Sequence, residues 1–176
     1  GSSRFGPGKR FANFGAIGVA WLVSNATFFE RIKPTINYLK LRGSFGFTGN
    51  DQIPDYQYLD SYTPSQAYGG QSTLAPVRLS NPDFAWETNK KLEAAIDIAV
   101  MDNRLTGTVN YYRNISGNQL VGTPLPATTG FSSIQSNFSA LIENSGWEFL
   151  IGFNALDKNR FEWRTSLNFT IPKNKL

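Results

Sequence analysis

Leu39-Lys40-Leu41-Arg42-Gly43-Ser44-Phe45-Gly46-Phe47-Thr48 is the stretch whose reading decides the fold. Leu39, Leu41, Gly43, Phe45 and Phe47 share one parity, and Lys40, Arg42, Ser44, Gly46 and Thr48 share the other. Successive side chains of an extended chain point to opposite faces. A period of two therefore makes a ribbon with one apolar and one polar side.

The pattern recurs along the chain. Leu92, Ala94, Ile96, Ile98 and Val100 alternate with Lys91, Glu93, Ala95, Asp97 and Ala99. Leu105, Val109 and Tyr111 oppose Thr106, Thr108 and Asn110, and Trp147, Phe149, Ile151 and Phe153 form a fifth face. Phe161, Trp163, Leu167, Phe169 and Ile171 oppose Glu162, Arg164, Ser166, Asn168 and Thr170. The stretch from Phe11 to Val23 is apolar or small on both sides and is read as a further strand. The expected strands are thus 11–23, 37–49, 90–101, 104–114, 137–156 and 160–172. Phe138, Ala140 and Ile142 are even whereas Trp147 onward is odd, which predicts a β-bulge near Asn144 to Gly146.

The connections alternate in length. Met101–Arg104 and Leu156–Arg160 are tight turns, and residues 24–36 fall on the same side, with Thr27–Arg31 as one helical turn. Residues 50–88 and 115–135 are long, and the first holds Pro54, Pro64, Pro76 and Pro82. Short turns alternating with long loops match an up-and-down outer-membrane barrel, with periplasmic turns and extracellular loops. A structureless loop of that length would be out of place inside a compact soluble domain.

Composition narrows the function classes. The chain of 176 residues has no cysteine and no histidine, so disulfide, thiolate and histidine-based catalytic or zinc chemistry is excluded within it. No persuasive carboxylate pair is present, and an enzyme is not expected, nor is any cofactor or metal. Charged residues are 17%, below the roughly 25% usual for soluble domains. The net charge of +4 is dispersed, which argues against a nucleic-acid partner. The longest apolar run, Ala16–Val23, is too short for a membrane helix but not for a membrane strand. Gly6-Pro7-Gly8-Lys9-Arg10 lacks the spacing of a phosphate loop, and Asp51, Asp55 and Asp60 match no EF-hand. Sequons at Asn25, Asn114, Asn137 and Asn168 are read as chance.

The fold expected is all-β: about six antiparallel transmembrane strands, part of a larger barrel. Six strands alone leave bare edges that hydrocarbon cannot satisfy, so the chain is expected to be a portion of a longer polypeptide. A soluble, secreted β-sandwich that binds carbohydrate is the alternative. It would bury the apolar strand faces against a second sheet, and it leaves the alternating loop lengths unexplained.

Several stretches together carry a family resemblance. They are Gly1–Gly6, Leu39–Gly46, Thr48–Asn50, Asn81–Thr88 (Asn-Pro-Asp-Phe-Ala-Trp-Glu-Thr), Asn103–Leu105, Tyr111-Tyr112, Pro124–Pro126, Asn144–Glu148 and Asn174-Lys175. In order and spacing the chain resembles the latter part of the barrel of SusC/RagA-type TonB-dependent transporters of Bacteroidetes. The resemblance implies a barrel of about 22 strands with a plug. It also implies an outer-membrane location, import of glycans or peptides with TonB energy, and a SusD-like surface lipoprotein as partner. The plug and the TonB box lie outside this segment. One departure is the charged Asn89-Lys90-Lys91 after Thr88.

Three groups of candidate residues follow. Lys40, Arg42, Glu93, Asp97, Arg164 and Asn168 fall on the polar strand faces. They would face the lumen, either touching substrate or forming a solvated, mutually paired interior. Tyr56, Tyr58, Tyr62, Tyr68 and Trp86 lie in the first long loop, where rings either contact a partner or ligand or pack the loop on itself. Trp21 and Trp163 lie near the short-turn ends, where an aromatic girdle would meet the lipid interface.

Overall fold

A computed structural model of the chain describes every residue except Gln57, Gly70, Asn159 and Arg160, and every side chain except those of residues 57, 66–68, 70 and 156–162. Among the described residues there are ten strands: β1 (Gly15–Leu22), β2 (Ile36–Asn50), β3 (Ser61–Tyr68), β4 (Gln71–Arg78), β5 (Glu87–Val100), β6 (Leu105–Gly117), β7 (Gln119–Pro124), β8 (Ser133–Phe138), β9 (Ile142–Lys158) and β10 (Phe161–Lys175). Six of them form one open sheet in the order β1-β2-β5-β6-β9-β10. Contacts divide the chain into two compact units.

The strand unit comprises Gly15–Phe47, Lys90–Ile115 and Ile142–Leu176. Its register settles the ambiguous first strand. Ile17, Val19 and Trp21 pair with Phe45, Gly43 and Leu41, whereas Ala16, Gly18 and Ala20 pair with Gly46, Ser44 and Arg42. The larger residues of β1 therefore continue the apolar face, and its small ones continue the polar face. Strand β1 is shorter than the expected 11–23 at both ends: it begins at Gly15, and Val23–Asn25 turn into a one-turn 3-10 helix. A second 3-10 turn, Thr27–Phe29, falls where one helical turn is expected.

Strands β5 and β6 are joined by a tight hairpin, with Asp102 and Asn103 at φ 53° and 64°. Positive φ at both central residues is the type I′ requirement, and Asp and Asn tolerate it better than most side chains. The sequence of the other short connection, between β9 and β10, includes Asn159 and Arg160, which lie outside the described residues. The Phe161 and Glu162 side chains likewise lie outside the description.

The expected bulge near Asn144 to Gly146 is not found against β10. Gly146, Ser145, Asn144 and Glu143 pair in unbroken register with Pro172, Lys173, Asn174 and Lys175. The parity change has a simpler cause. Phe138 ends β8, a strand of another sheet, and β9 starts afresh at Ile142, not at residue 137. The register shift of this hairpin lies between Trp163 and Arg164, which pair with Leu156 and Asn154 and leave Ala155 as the extra residue.

The loop unit comprises Gly1–Phe14, Thr48–Asn89 and Ser116–Leu141. The stretches expected as structureless loops, 50–88 and 115–135, instead contain the antiparallel hairpins β3–β4 and β7–β8. Pro64 and Pro76 sit inside the first of these. Both strands of a two-stranded ribbon are edges, so a missing N–H is tolerated. Phe5 and Phe84 are fully buried and form a small core with Ile53, against which Tyr58, Trp86 and Leu120 pack.

Candidate functional site

The polar face of the strand unit carries a connected set of side chains. Arg42 donates from Nε to Asp97 Oδ2 at 2.8 Å and from Nη2 to Oδ1 at 3.2 Å. The Thr108 hydroxyl donates to the same carboxylate at 2.9 Å. Asn110 donates to Glu148 at 2.9 Å. Arg42, Thr108, Asn110, Glu148, Asn168 and Thr170 line one shallow recess, and Glu93 shares a neighbouring one with Arg42 and Asn110. Of the six polar-face residues singled out from the sequence, the structure joins Arg42 to Asp97, sets Glu93 near Arg42, and places Asn168 in the recess that Arg42 also lines. Lys40 and Arg164 keep the same parity but sit towards the short turns, opposite Leu22 and Asn154. Thr108, Asn110 and Glu148 were not singled out, although their parity already placed them on this face.

The opposite face is apolar and open. Leu41, Phe45, Leu92, Ile96, Trp147, Ile151, Phe153, Leu167 and Phe169 are between 37% and 64% exposed. Soluble monomers rarely leave so large a contiguous apolar surface in water. A β-sandwich would bury these residues against a second sheet. Tyr111 and Trp147 lie with ring centroids 5.0 Å apart on this face, and Phe149 approaches both Trp147 and Phe169. Trp21 and Trp163 are on the apolar parity near the short turns, with Trp21 edge-on to Phe28 at 6.3 Å.

Aromatic residues of the loop unit divide into two groups. Tyr58 and Trp86 pack on the Phe5–Phe84 core; the Trp86 ring lies 5.1 Å from Phe5, and its indole N–H donates to the Lys9 carbonyl. Tyr56 and Tyr62 are 57% and 58% exposed. The Tyr62 hydroxyl donates to the Asp60 carboxylate, and that hydrogen bond holds the phenol pKa above its ordinary range. The Tyr68 side chain lies outside the described residues.

The Asn81–Thr88 motif organises this unit. Phe84 fills the core, and Asn81 donates to the Gln135 carbonyl. The Asn137 side chain accepts from Ala85 N–H and donates to the Ala85 and Asn118 carbonyls. Glu87 accepts from Asn50. Arg4 reaches Asp55 and the Asp51 carbonyl, which ties the first family-like stretch to the same unit.

Residues 2–174 match the family model described as TonB dependent receptor-like, beta-barrel. The chain is similar over its whole length to TonB-dependent receptor P39 of Formosa agariphila, at 37% identity, and covers 17% of that protein. It is 27% identical to TonB-dependent receptor SusC of Bacteroides thetaiotaomicron, again over the whole chain and 18% of SusC. Among solved structures it is similar to the RagAB peptide transporter, with a TM-score of 0.87 and 25% identity over 98% of this chain and 19% of that one. The chain thus spans less than a fifth of the length of the proteins it matches.

Proposed function

Since this chain belongs to the TonB-dependent receptor-like β-barrel family of the bacterial outer membrane, we propose that it forms part of the barrel wall of an active importer of glycans or peptides. The observation that carries this reading is the two-faced sheet: an exposed apolar surface for lipid, and a paired polar surface for a water-filled lumen. Likeness to the RagAB peptide transporter supports peptides as a substrate class, and the resemblance to SusC/RagA-type transporters implies glycans as the other class and a SusD-like lipoprotein as partner. TonB supplies the energy through regions outside this segment.

In this reading Lys40, Arg42, Glu93, Asp97, Arg164 and Asn168 line the lumen. The exposed Tyr56 and Tyr62 offer rings to the lipoprotein or the ligand, with Tyr68 on the same strand as Tyr62. Trp21 and Trp163 anchor the periplasmic edge of the apolar band. Tyr58 and Trp86 support the loops from within.

The test is uptake by cells carrying the full-length gene or lacking it, in the presence and absence of TonB. Growth on an oligosaccharide or peptide source that needs both genes, together with co-purification of a surface lipoprotein, is the expected result. Uptake independent of TonB would contradict the proposal.

A further inference from the structure

The apolar face of the sheet changes character near the long connections. On β10, Ile171 pairs with Trp147, and the next residues of the same parity are Lys173 and Lys175, opposite Ser145 and Glu143. On β6, Arg113 follows Tyr111 on this face and bonds Glu143 at 2.7 Å. On β5, Lys90 precedes Leu92 and holds its ammonium 5.8 Å from the centre of the Phe47 ring. Four cations and one carboxylate thus stand just beyond the belt of Tyr111, Trp147, Phe149 and Phe169. At the other end of the same face, Trp21, Leu39, Val100, Leu105, Phe153 and Trp163 are uncharged.

This asymmetry needs an explanation. Arg113 already occupies Glu143, and neither Lys173 nor Lys175 forms an ion pair among the described residues. Arg113, Glu143, Lys173 and Lys175 border one groove whose floor includes Tyr111, Trp147 and Ile171. Cations on long stems, set at the margin of a lipid-facing apolar band, place their charge at headgroup height while their methylenes stay on the apolar surface. The long-connection end of an outer-membrane barrel faces the cell exterior.

We propose that this cationic groove on β6, β9 and β10 binds the phosphorylated headgroup of an outer-leaflet glycolipid, with Lys173 and Lys175 on its phosphates and its acyl chains along Tyr111, Trp147, Phe169 and Ile171. The inference rests on the sheet being a barrel wall. It adds a specific lipid contact and requires no transport activity.

The test uses the full-length receptor in detergent, titrated by native mass spectrometry with bisphosphorylated lipid A, with the same lipid A after enzymatic dephosphorylation, and with inorganic phosphate. The expected result is binding of bisphosphorylated lipid A about tenfold or more tighter than the dephosphorylated form. The K173Q/K175Q variant should lose that preference. K91Q, which alters the polar parity of β5, should keep it. Equal binding of the two lipids, or an unchanged double variant, would overturn the proposal. So would displacement of the lipid by inorganic phosphate, which would make the groove a free-anion site. A spin label at Phe169→Cys in reconstituted receptor separates the two levels of failure. Contact with oxygen dissolved in lipid but no phosphate preference would sink the headgroup site alone; no such contact would sink the lipid-facing reading itself.

Discussion

Arg42 on β2 grips Asp97 on β5 through two parallel hydrogen bonds, although the residues are 55 positions apart in sequence. The strands are neighbours in the sheet, yet the long excursion between them contains β3 and β4. No tight turn fixes their register, and a one-residue slip would exchange the two faces. The forked pair, with Thr108 on the same carboxylate, provides a register lock. Its side chains are 45% and 21% exposed, so screening by water limits its strength. A double-mutant cycle with Arg42→Ala and Asp97→Ala in the full-length barrel should give a coupling of about 0.5–1 kcal/mol that weakens with salt. Urea unfolding in lipid vesicles measures it; purely additive losses would count against the lock.

Adjacent residues of β9 should respond oppositely to charge. Ile151 pairs with Leu167 on the apolar face, and Leu150 pairs with Asn168 on the polar one. Ile151→Arg should destabilise the membrane-inserted barrel by about 2–4 kcal/mol. Leu150→Arg should stay within about 0.5 kcal/mol. The same unfolding measurement decides this, and equal costs would mean that the faces are misassigned.

The loop unit should depend on the small core beneath it. Phe84→Ala removes a fully buried ring, and a loss of about 3–5 kcal/mol is expected locally. Asn137→Ala leaves the Ala85 N–H and two carbonyls without their present partner, at about 1–3 kcal/mol. Limited proteolysis of the full-length receptor should show faster cleavage within residues 48–89 and 116–141, while the strand unit stays protected. Unchanged cleavage would show that the loops are held by something else.

Gly146 is needed where it stands. A Cβ there would lie 2.7 Å from the Ile171 carbonyl oxygen and 2.8 Å from the Tyr112 hydroxyl. The backbone of a paired strand cannot move away cheaply, so Gly146→Ala should cost about 1–3 kcal/mol. At Gly15 an added Cβ meets nothing within 4 Å, and Gly15→Ala serves as the near-neutral control in the same melting experiment.

The sheet could be read from the sequence because its two faces differ, one apolar and one polar, and alternate residues carry that difference. Leu39–Thr48 and Leu92–Val100 therefore declare themselves. The same parity marks Thr108, Asn110 and Glu148, but their partnerships depend on register between strands joined through long excursions, which no local signal encodes. The hairpins β3–β4 and β7–β8 escaped detection for a different reason. Tyr62-Thr63-Pro64-Ser65 and Leu120-Val121-Gly122-Thr123 lack an apolar–polar contrast. Their cohesion comes from antiparallel pairing and, around β8, from the Asn81 and Asn137 side chains, whose partners no sequence pattern reveals. The misplaced bulge has a related origin, since the parity change at 138–147 marks the gap between two strands of different sheets.

The central claim is that one face of this sheet meets lipid and the other meets water. Nitroxide labels placed singly at positions 147–154 of the reconstituted full-length receptor test it, each read for collisions with oxygen and with a water-soluble nickel chelate. Oxygen access should peak at Trp147, Phe149, Ile151 and Phe153, with nickel access peaking at Glu148, Leu150, Gly152 and Asn154. A flat profile, or one in which both faces favour nickel, would contradict the barrel-wall assignment.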